Sequence, residues 1–289
     1  VLAMQGEHGS AKSTACKMAR ALIDPNIAPL RRPPREGRDL MIAATNGWIV
    51  AFDNLSGIPR DLSDGLCVLA TGGGFATREL YTDGDEKLFD AMRPVLLNGI
   101  DDLATRADLL DRAINLTLPV ITDDQRRDED ELWQRFEEAR PRILGSLLDA
   151  VSTAMRNRPH VTLISKPRMA DFAAWIVAAE PALGWPAGRF LDAYTHNRSD
   201  ANALALESAI IAPAVLALMH GRESWNGTAR ELLTELEAHH ADEKTRKRRD
   251  WPKSPRKLSG DLRRLAPNFR RVGLNVTFGK RTRAGTPIT

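Results

Sequence analysis

Val1-Leu2-Ala3-Met4-Gln5-Gly6-Glu7-His8-Gly9-Ser10-Ala11-Lys12-Ser13-Thr14 reads as a short apolar strand that runs into a glycine-punctuated turn and then into a helix. From Gly6 the pattern is G-x-x-x-x-A-K-S, a phosphate-cradling loop with Ala11 where glycine is usual. Gly6 and Gly9 let the backbone turn tightly, so that successive N–H groups, those of Ser10 and Ala11 included, converge on an anion. Lys12 would reach the outer phosphates of a nucleotide, the Ser13 hydroxyl would sit on Mg²⁺, and Thr14 would start a helix whose positive end faces the same phosphates. Ala11 is expected to cost little, because it borders a helix, where alanine is well tolerated. The plainer alternative is a glycine-containing turn before an ordinary helix.

A second segment bears on that choice. Trp48-Ile49-Val50-Ala51-Phe52-Asp53-Asn54 is an apolar run of strand length that ends in a carboxylate, the form of a Walker B strand. Asp53 at its carboxyl end would hold Mg²⁺ opposite Ser13. A buried strand closed by an Asp-Asn turn is the alternative. Arg93-Pro94-Val95-Leu96-Leu97-Asn98 is another apolar run with a polar end, and Asn98 would lie beside Asp53 if the two strands are neighbours, in position to orient an attacking water. Ala113 to Pro119 is a further strand, and helices at 39–46, Asp61–Ala70 and Arg106–Arg112 fall between the strands. Alternation of this kind argues for an α/β fold with a parallel sheet. The glycines of Thr71-Gly72-Gly73-Gly74-Phe75 break the pattern and would place Ala76–Tyr81 over a ligand or along a channel; a plain loop is the alternative.

From Asp123 to about Arg158 the periodicity is helical, with further helices over Arg168–Glu180 and Pro186–Arg198. Val161-Thr162-Leu163-Ile164 carries the one strand signal in that region. Ala203–Met219 reads as an apolar helix interrupted by Pro213, Ala229–His239 as a helix with Thr228 as N-cap, and Lys244–Lys253 as a basic loop. Ser254-Pro255 opens a basic helix that ends near Ala266, followed by a strand over Val272–Phe278, a basic turn, and a return strand at Thr286–Thr289. Helix, helix, basic helix, hairpin is the order of a winged helix. Three units follow: an ATPase core over 1–122, a helical unit over 123–200, and a winged-helix DNA-binding domain over 201–289.

The charge is unevenly spread along the 289 residues. Lys244–Thr289 holds 15 Lys and Arg against 2 Asp, a net of +13, which leaves residues 1–243 at −10 in a chain whose total is +3. That footprint suits a nucleic-acid partner, with a solvated basic tail as the alternative. Arg256, Lys257, Arg263 and Arg264 on the basic helix, with Lys280, Arg281 and Arg283 on the wing, are the expected DNA contacts. No stretch approaches membrane-spanning length, so no membrane partner is expected. Cys16 and Cys67 both fall in expected helices, which fits a reduced, cytoplasmic setting. The start on a core strand is read as a fragment whose upstream part has been removed.

Taken together, Gly6–Thr14, Ala51–Ser56, Leu69–Phe75, Leu96–Ile100 and Leu110–Ala113 resemble the P-loop ATPases of the primase–helicase type carried by bacterial prophages and plasmids. These are related to superfamily 3 helicases and the AAA+ class. The resemblance covers about residues 1–120 and extends more loosely to Trp251–Ser254 and Leu262–Pro267. It implies a P-loop NTPase (AAA+-like) core that binds ATP and Mg²⁺ and works as a homo-oligomer, a hexameric ring. Arg112, with Arg106 as second choice, matches an arginine that reaches the neighbouring subunit's nucleotide. Gly72–Arg78 would face a channel for single-stranded DNA, the winged helix would bind duplex, and a primase domain upstream is implied by the resemblance alone. No acidic residue directly follows Asp53, so the base that polarises water is not assigned; Glu7 and Glu79 are weak candidates. The reading is an ATP-dependent helicase, translocase or loader in mobile-element replication. Its rival is a DNA-binding regulator or origin-recognition protein that ATP switches without unwinding.

Overall fold

In chain order the first unit runs β1 (Leu2–Gln5), α1 (Lys12–Ile23), α2 (Gly37–Thr45), β2 (Val50–Leu55), α3 (Arg60–Thr71), β3 (Gly74–Arg78), β4 (Glu86–Asp90), β5 (Val95–Gly99), α4 (Ala107–Leu110), β6 (Ile114–Thr117), α5 (Glu129–Asn157), α6 (Ala170–Ala179) and α7 (Arg189–Ser208), whose residues from Ser199 on belong to the second unit. The computed structural model describes residues 1–78, 86–100, 103, 106–280 and 285–289. It divides into two compact units, Val1–Ala104 with Asp108–Arg198, and Ser199–Thr289 with Thr105–Ala107.

Four parallel strands form the sheet, in the order β2-β5-β1-β6. Their runs are apolar because parallel strands are covered on both faces: Val50, Ala51, Phe52 and every residue of β5 are buried. β2 starts at Val50 rather than Trp48, whose ring is half-exposed. Phe52 pairs with Leu97, and Leu97 with Ala3, so Asp53, Asn98 and the end of β1 emerge at the same edge of the sheet. Strands that follow β1 in sequence lie on both sides of it, and in open α/β sheets a ligand crevice forms outside the carboxyl ends at such a point.

The glycine triplet does two things. Gly72 caps α3 with φ +77, and Gly74 opens an antiparallel hairpin, β3 with β4. In α1, Arg20 is buried and tied to Asp24 and to the Pro29 carbonyl. Burial pushes its guanidinium down from the usual value, and the Asp24 charge opposes that. This is a structural ion pair that fixes the turn after α1.

Helix α5 runs 29 residues with Pro141 in its interior and packs on α6 through Ala150, Ala154, Ala178 and Ala179. The buried Glu180 carboxylate accepts from the backbone N–H groups of Gly188 (2.9 Å) and Phe190 (2.7 Å), which anchors the start of α7. The strand signal at 161–164 does not produce a strand. Leu163 drops into a cluster with Ala173 and Ala174 while Ile164 is exposed, and no sheet lies alongside to pair with that backbone.

The second unit adds α8 (Ala212–Met219), β7 (Gly227–Thr228), α9 (Ala229–Glu235), α10 (Glu243–Lys247), α11 (Pro255–Arg271) and β8 (Pro287–Ile288). Its core gathers Leu218, Leu232, Leu236, Trp251, Leu258, Leu262, Phe269 and Ile288. Thr228 caps α9 in a full capping box with Glu231. Four expectations change here. The break before α8 lies at residues 209–211, and Pro213 sits in the first turn, where its missing N–H costs nothing. The basic loop contains α10, nucleated by the Asp242 cap on Thr245. Helix α11 passes through Pro267 to Arg271, because Phe269 and Asn268 are buried and anchor the last turn. The strand expected over Val272–Phe278 contracts: Gly273 and Leu274 donate back to the end of α11, and only Thr277–Gly279 pairs with Pro287–Thr289. β8 pairs antiparallel with β7 on its other side. Among the described residues no single helix is long and apolar enough to cross a membrane.

Candidate functional site

A cavity of about 500 Å³ opens at the carboxyl edge of the sheet, in the size range of small-molecule sites. Gly9, Ser10, Ala11, Lys12, Ser13 and Thr14 line one wall; Asp53 and Asn98 line the other. The loop that reaches it is held open by its own side chains. Lys12 Nζ donates to the carbonyls of Gly6 and Glu7, both at 2.7 Å, and to Ser10 Oγ at 3.1 Å. Ser10, itself buried, donates to the Glu7 carbonyl. Gly6 leaves no room for a side chain: a Cβ there would lie 2.5 Å from the Leu118 carbonyl oxygen. The Gly6 and Glu7 carbonyls of the bend thus face Lys12.

Ala11 does not take the helical conformation expected of it. It is the N-cap of α1 with φ 55 and ψ 26, in the left-handed region. An L-residue pays about 1–2 kcal/mol there, so the substitution of alanine for the usual glycine stores strain at the mouth of the site. Ala11→Gly is expected to raise the melting temperature by a few degrees, corresponding to about 0.5–1 kcal/mol, in a thermal melt of the full chain.

Asn54, next to Asp53, is also left-handed at φ 56, and the β2–β5 register shifts between Phe52 and Leu55. Asparagine tolerates this conformation better than most residues. The irregularity aims Asp53 across the crevice, where Asp53 Oδ1 accepts from Ser13 Oγ at 3.0 Å. It also turns the Asn54 N–H to donate to Asn98 Oδ1 at 3.1 Å. Asn98 is buried, and its side-chain amide faces the Cys16 thiol. Cys16, underneath, lies 3.6 Å from Met4 Sδ, and burial pushes its thiol up from the usual range, so it is held as the neutral thiol.

Arg112 is not part of this cavity. It precedes β6, at the edge of the sheet opposite the loop, and its Nη1 donates to the Asp108 carbonyl at 2.7 Å. Arg106 has an interaction of its own, and neither arginine lines the cavity. Glu79 lies outside the described residues.

In the second unit, Arg256, Lys257, Arg263 and Arg264 are all exposed on α11, opposite the buried Leu258–Leu262–Phe269 side. The side chain of Asp261 pairs with both Lys257 (2.8 Å) and Arg264. Arg263 lies over the Phe278 ring at 4.3 Å, which fixes its direction relative to the strand pair. Lys280 is exposed beside that pair, while Arg281 and Arg283 lie outside the described residues. Arg270 and Arg271 are also exposed on α11. A helix that stops near Ala266 leaves both out; the signal that places them on it is Phe269, in step with Leu258 and Leu262.

Residues 2–203 match the family model described as actinomycete integrative conjugative element replication protein, and residues 211–288 match that of the AICE RepA C-terminal domain. No curated protein matches the chain.

Proposed function

The chain belongs to the actinomycete integrative conjugative element replication protein family, and on that premise we propose that it is an ATP-driven DNA motor or loader in the replication of such an element. The observation that carries this reading is the single cavity shared by Lys12, Ser13, Asp53 and Asn98. The bend, through its backbone N–H groups, and Lys12 would grip the triphosphate, and the Asn98 side chain at the cavity wall would orient the attacking water. Ser13 and Asp53, already in hydrogen-bond contact, supply the hard oxygens that a divalent cation takes. Mg²⁺ bound there would neutralise charge on the outer phosphates. Arg112, on the far edge of the sheet, fits a role at a neighbour's nucleotide rather than its own, which argues for a closed homo-oligomer, taken as a hexameric ring. The β3–β4 hairpin is the element we assign to a channel for single-stranded DNA.

In the second unit we read α8, β7, α9, α11 and the strands at 277–279 and 287–289 as a P-loop ATPase's C-terminal winged helix, with α11 as the DNA-facing helix. Arg256→Ala and Arg263→Ala are each expected to weaken duplex binding about equally across sequences. Each should lower the slope of log affinity against log salt by about 1, measured by fluorescence anisotropy over a salt series.

ATP hydrolysis measured with and without single-stranded DNA tests the whole reading. Stimulation by the strand is the expected result; hydrolysis that ignores DNA would separate the two units functionally. One observation favours a second reading. Asn54 and not a carboxylate follows Asp53, so the site lacks an evident base. ATP would then switch assembly on DNA without unwinding it, as in a regulator or origin-recognition protein. A forked duplex decides: a motor separates it with ATP, and a switch leaves it paired.

A further inference from the structure

The segment after β6 folds back over the phosphate-facing loop. Leu118 N–H donates to the Gln5 carbonyl at 2.8 Å, and Ile121 N–H donates to the Gly9 carbonyl at 3.2 Å. The chain then makes a 3₁₀ turn at Asp123–Gln125 and brings Arg126 onto Gly9. A Cβ on Gly9 would lie 2.8 Å from Arg126 Nη2, so the guanidinium is packed directly against the bend that the cavity includes. Glycine at 9 is needed here for two reasons: its φ of +82, and the space the guanidinium takes.

The partners that Arg126 holds are weak ones, the Ile121 carbonyl at 3.5 Å from its Nε and an exposed carboxylate. Its Nε lies 3.2 Å from Asp123 Oδ1, three residues back, and the two side chains are 56% and 97% exposed. Exposed pairs of this kind contribute about 0–1 kcal/mol. A guanidinium against a phosphate makes charge-assisted, bidentate contacts that are stronger. We propose that Arg126 is a second cation for the terminal phosphate of the chain's own nucleotide, held aside by Asp123 until a triphosphate arrives. This rests on the ATP reading above and assigns a contact in cis, distinct from that of Arg112 in trans. Arg126 stands three residues before α5, whose first residue, Glu129, faces Lys17 of α1 at 3.6 Å. Exchange of Asp123 for phosphate therefore carries the state of the nucleotide to the foot of the longest helix.

Isothermal titration of the full chain with ATP–Mg²⁺ and ADP–Mg²⁺ tests this, using Arg126→Ala, Arg126→Lys and Asp123→Asn, with melting temperatures recorded for each. Arg126→Ala is expected to weaken ATP about tenfold and ADP by less than about twofold, with Arg126→Lys in between. Asp123→Asn is expected to tighten ATP about two- to threefold, since it removes the competitor. A residue that only braces Gly9 would behave otherwise: both variants would weaken ATP and ADP alike, and that result overturns the proposal while leaving the ATP site standing. Wild-type protein that binds neither nucleotide would overturn both.

Discussion

Lys12→Ala is expected to cut ATP turnover about a thousandfold, about 4 kcal/mol in the barrier, measured as steady-state phosphate release. The size of the effect follows from what Lys12 does twice. Its ammonium is the one Lys or Arg cation lining the cavity among the described residues, against Asp53 on the other wall. Its three donors are spent on the Gly6 and Glu7 carbonyls and on Ser10, so it also sets the curvature of the bend. The variant therefore loses charge and preorganisation together. The surrounding helix should survive, because α1 is anchored lower down by buried Cys16 and Arg20; the melting curve checks this. Unchanged hydrolysis in the variant would reject the site.

Arg112→Ala is expected to lower turnover by a similar factor, about a thousandfold, while ATP affinity stays within about twofold. Topology gives the reason. Arg112 enters β6, which runs parallel to β1, so the length of a strand, on the order of 13 Å for four residues, separates it from the loop in its own chain. Its guanidinium is parked on the Asp108 carbonyl, with Nε buried and without a partner among the described residues. A second copy can use it where its own chain cannot. Mixing Arg112→Ala with Lys12→Ala protein should restore part of the activity, because some interfaces then pair an intact loop with an intact arginine. No recovery at any mixing ratio would count against catalysis between subunits.

Much of the site could be read before any coordinates. Lys12, Ser13, Asp53 and Asn98 sit at the ends of apolar runs, and parallel strands bring such ends to one edge, so order and pattern sufficed to bring them together. Conformation was less accessible. Ala11 looked harmless because helix propensity describes residues inside a helix, whereas it occupies the left-handed cap before one. Asn54 gave no sign of the irregularity that aims Asp53. Tertiary burial overrode local rules elsewhere: Phe269 carries α11 past a proline, and the turn that follows uses backbone groups that a strand over Val272–Phe278 would have needed. Arg126 carries no sequence signal, since what singles it out is its position against a glycine more than a hundred residues earlier.

Asp261 gives the basic helix a different character from that suggested by a count of its positive residues. One carboxylate, largely sheltered from solvent, neutralises part of what Lys257 and Arg264 would otherwise offer. As the proposed DNA-facing helix, α11 would meet a polyanion with two of its side chains already oriented but partly discharged. Unfitted adhesion would then be reduced more than a fitted complex, because only the fitted complex would recover the cost of parting those ions.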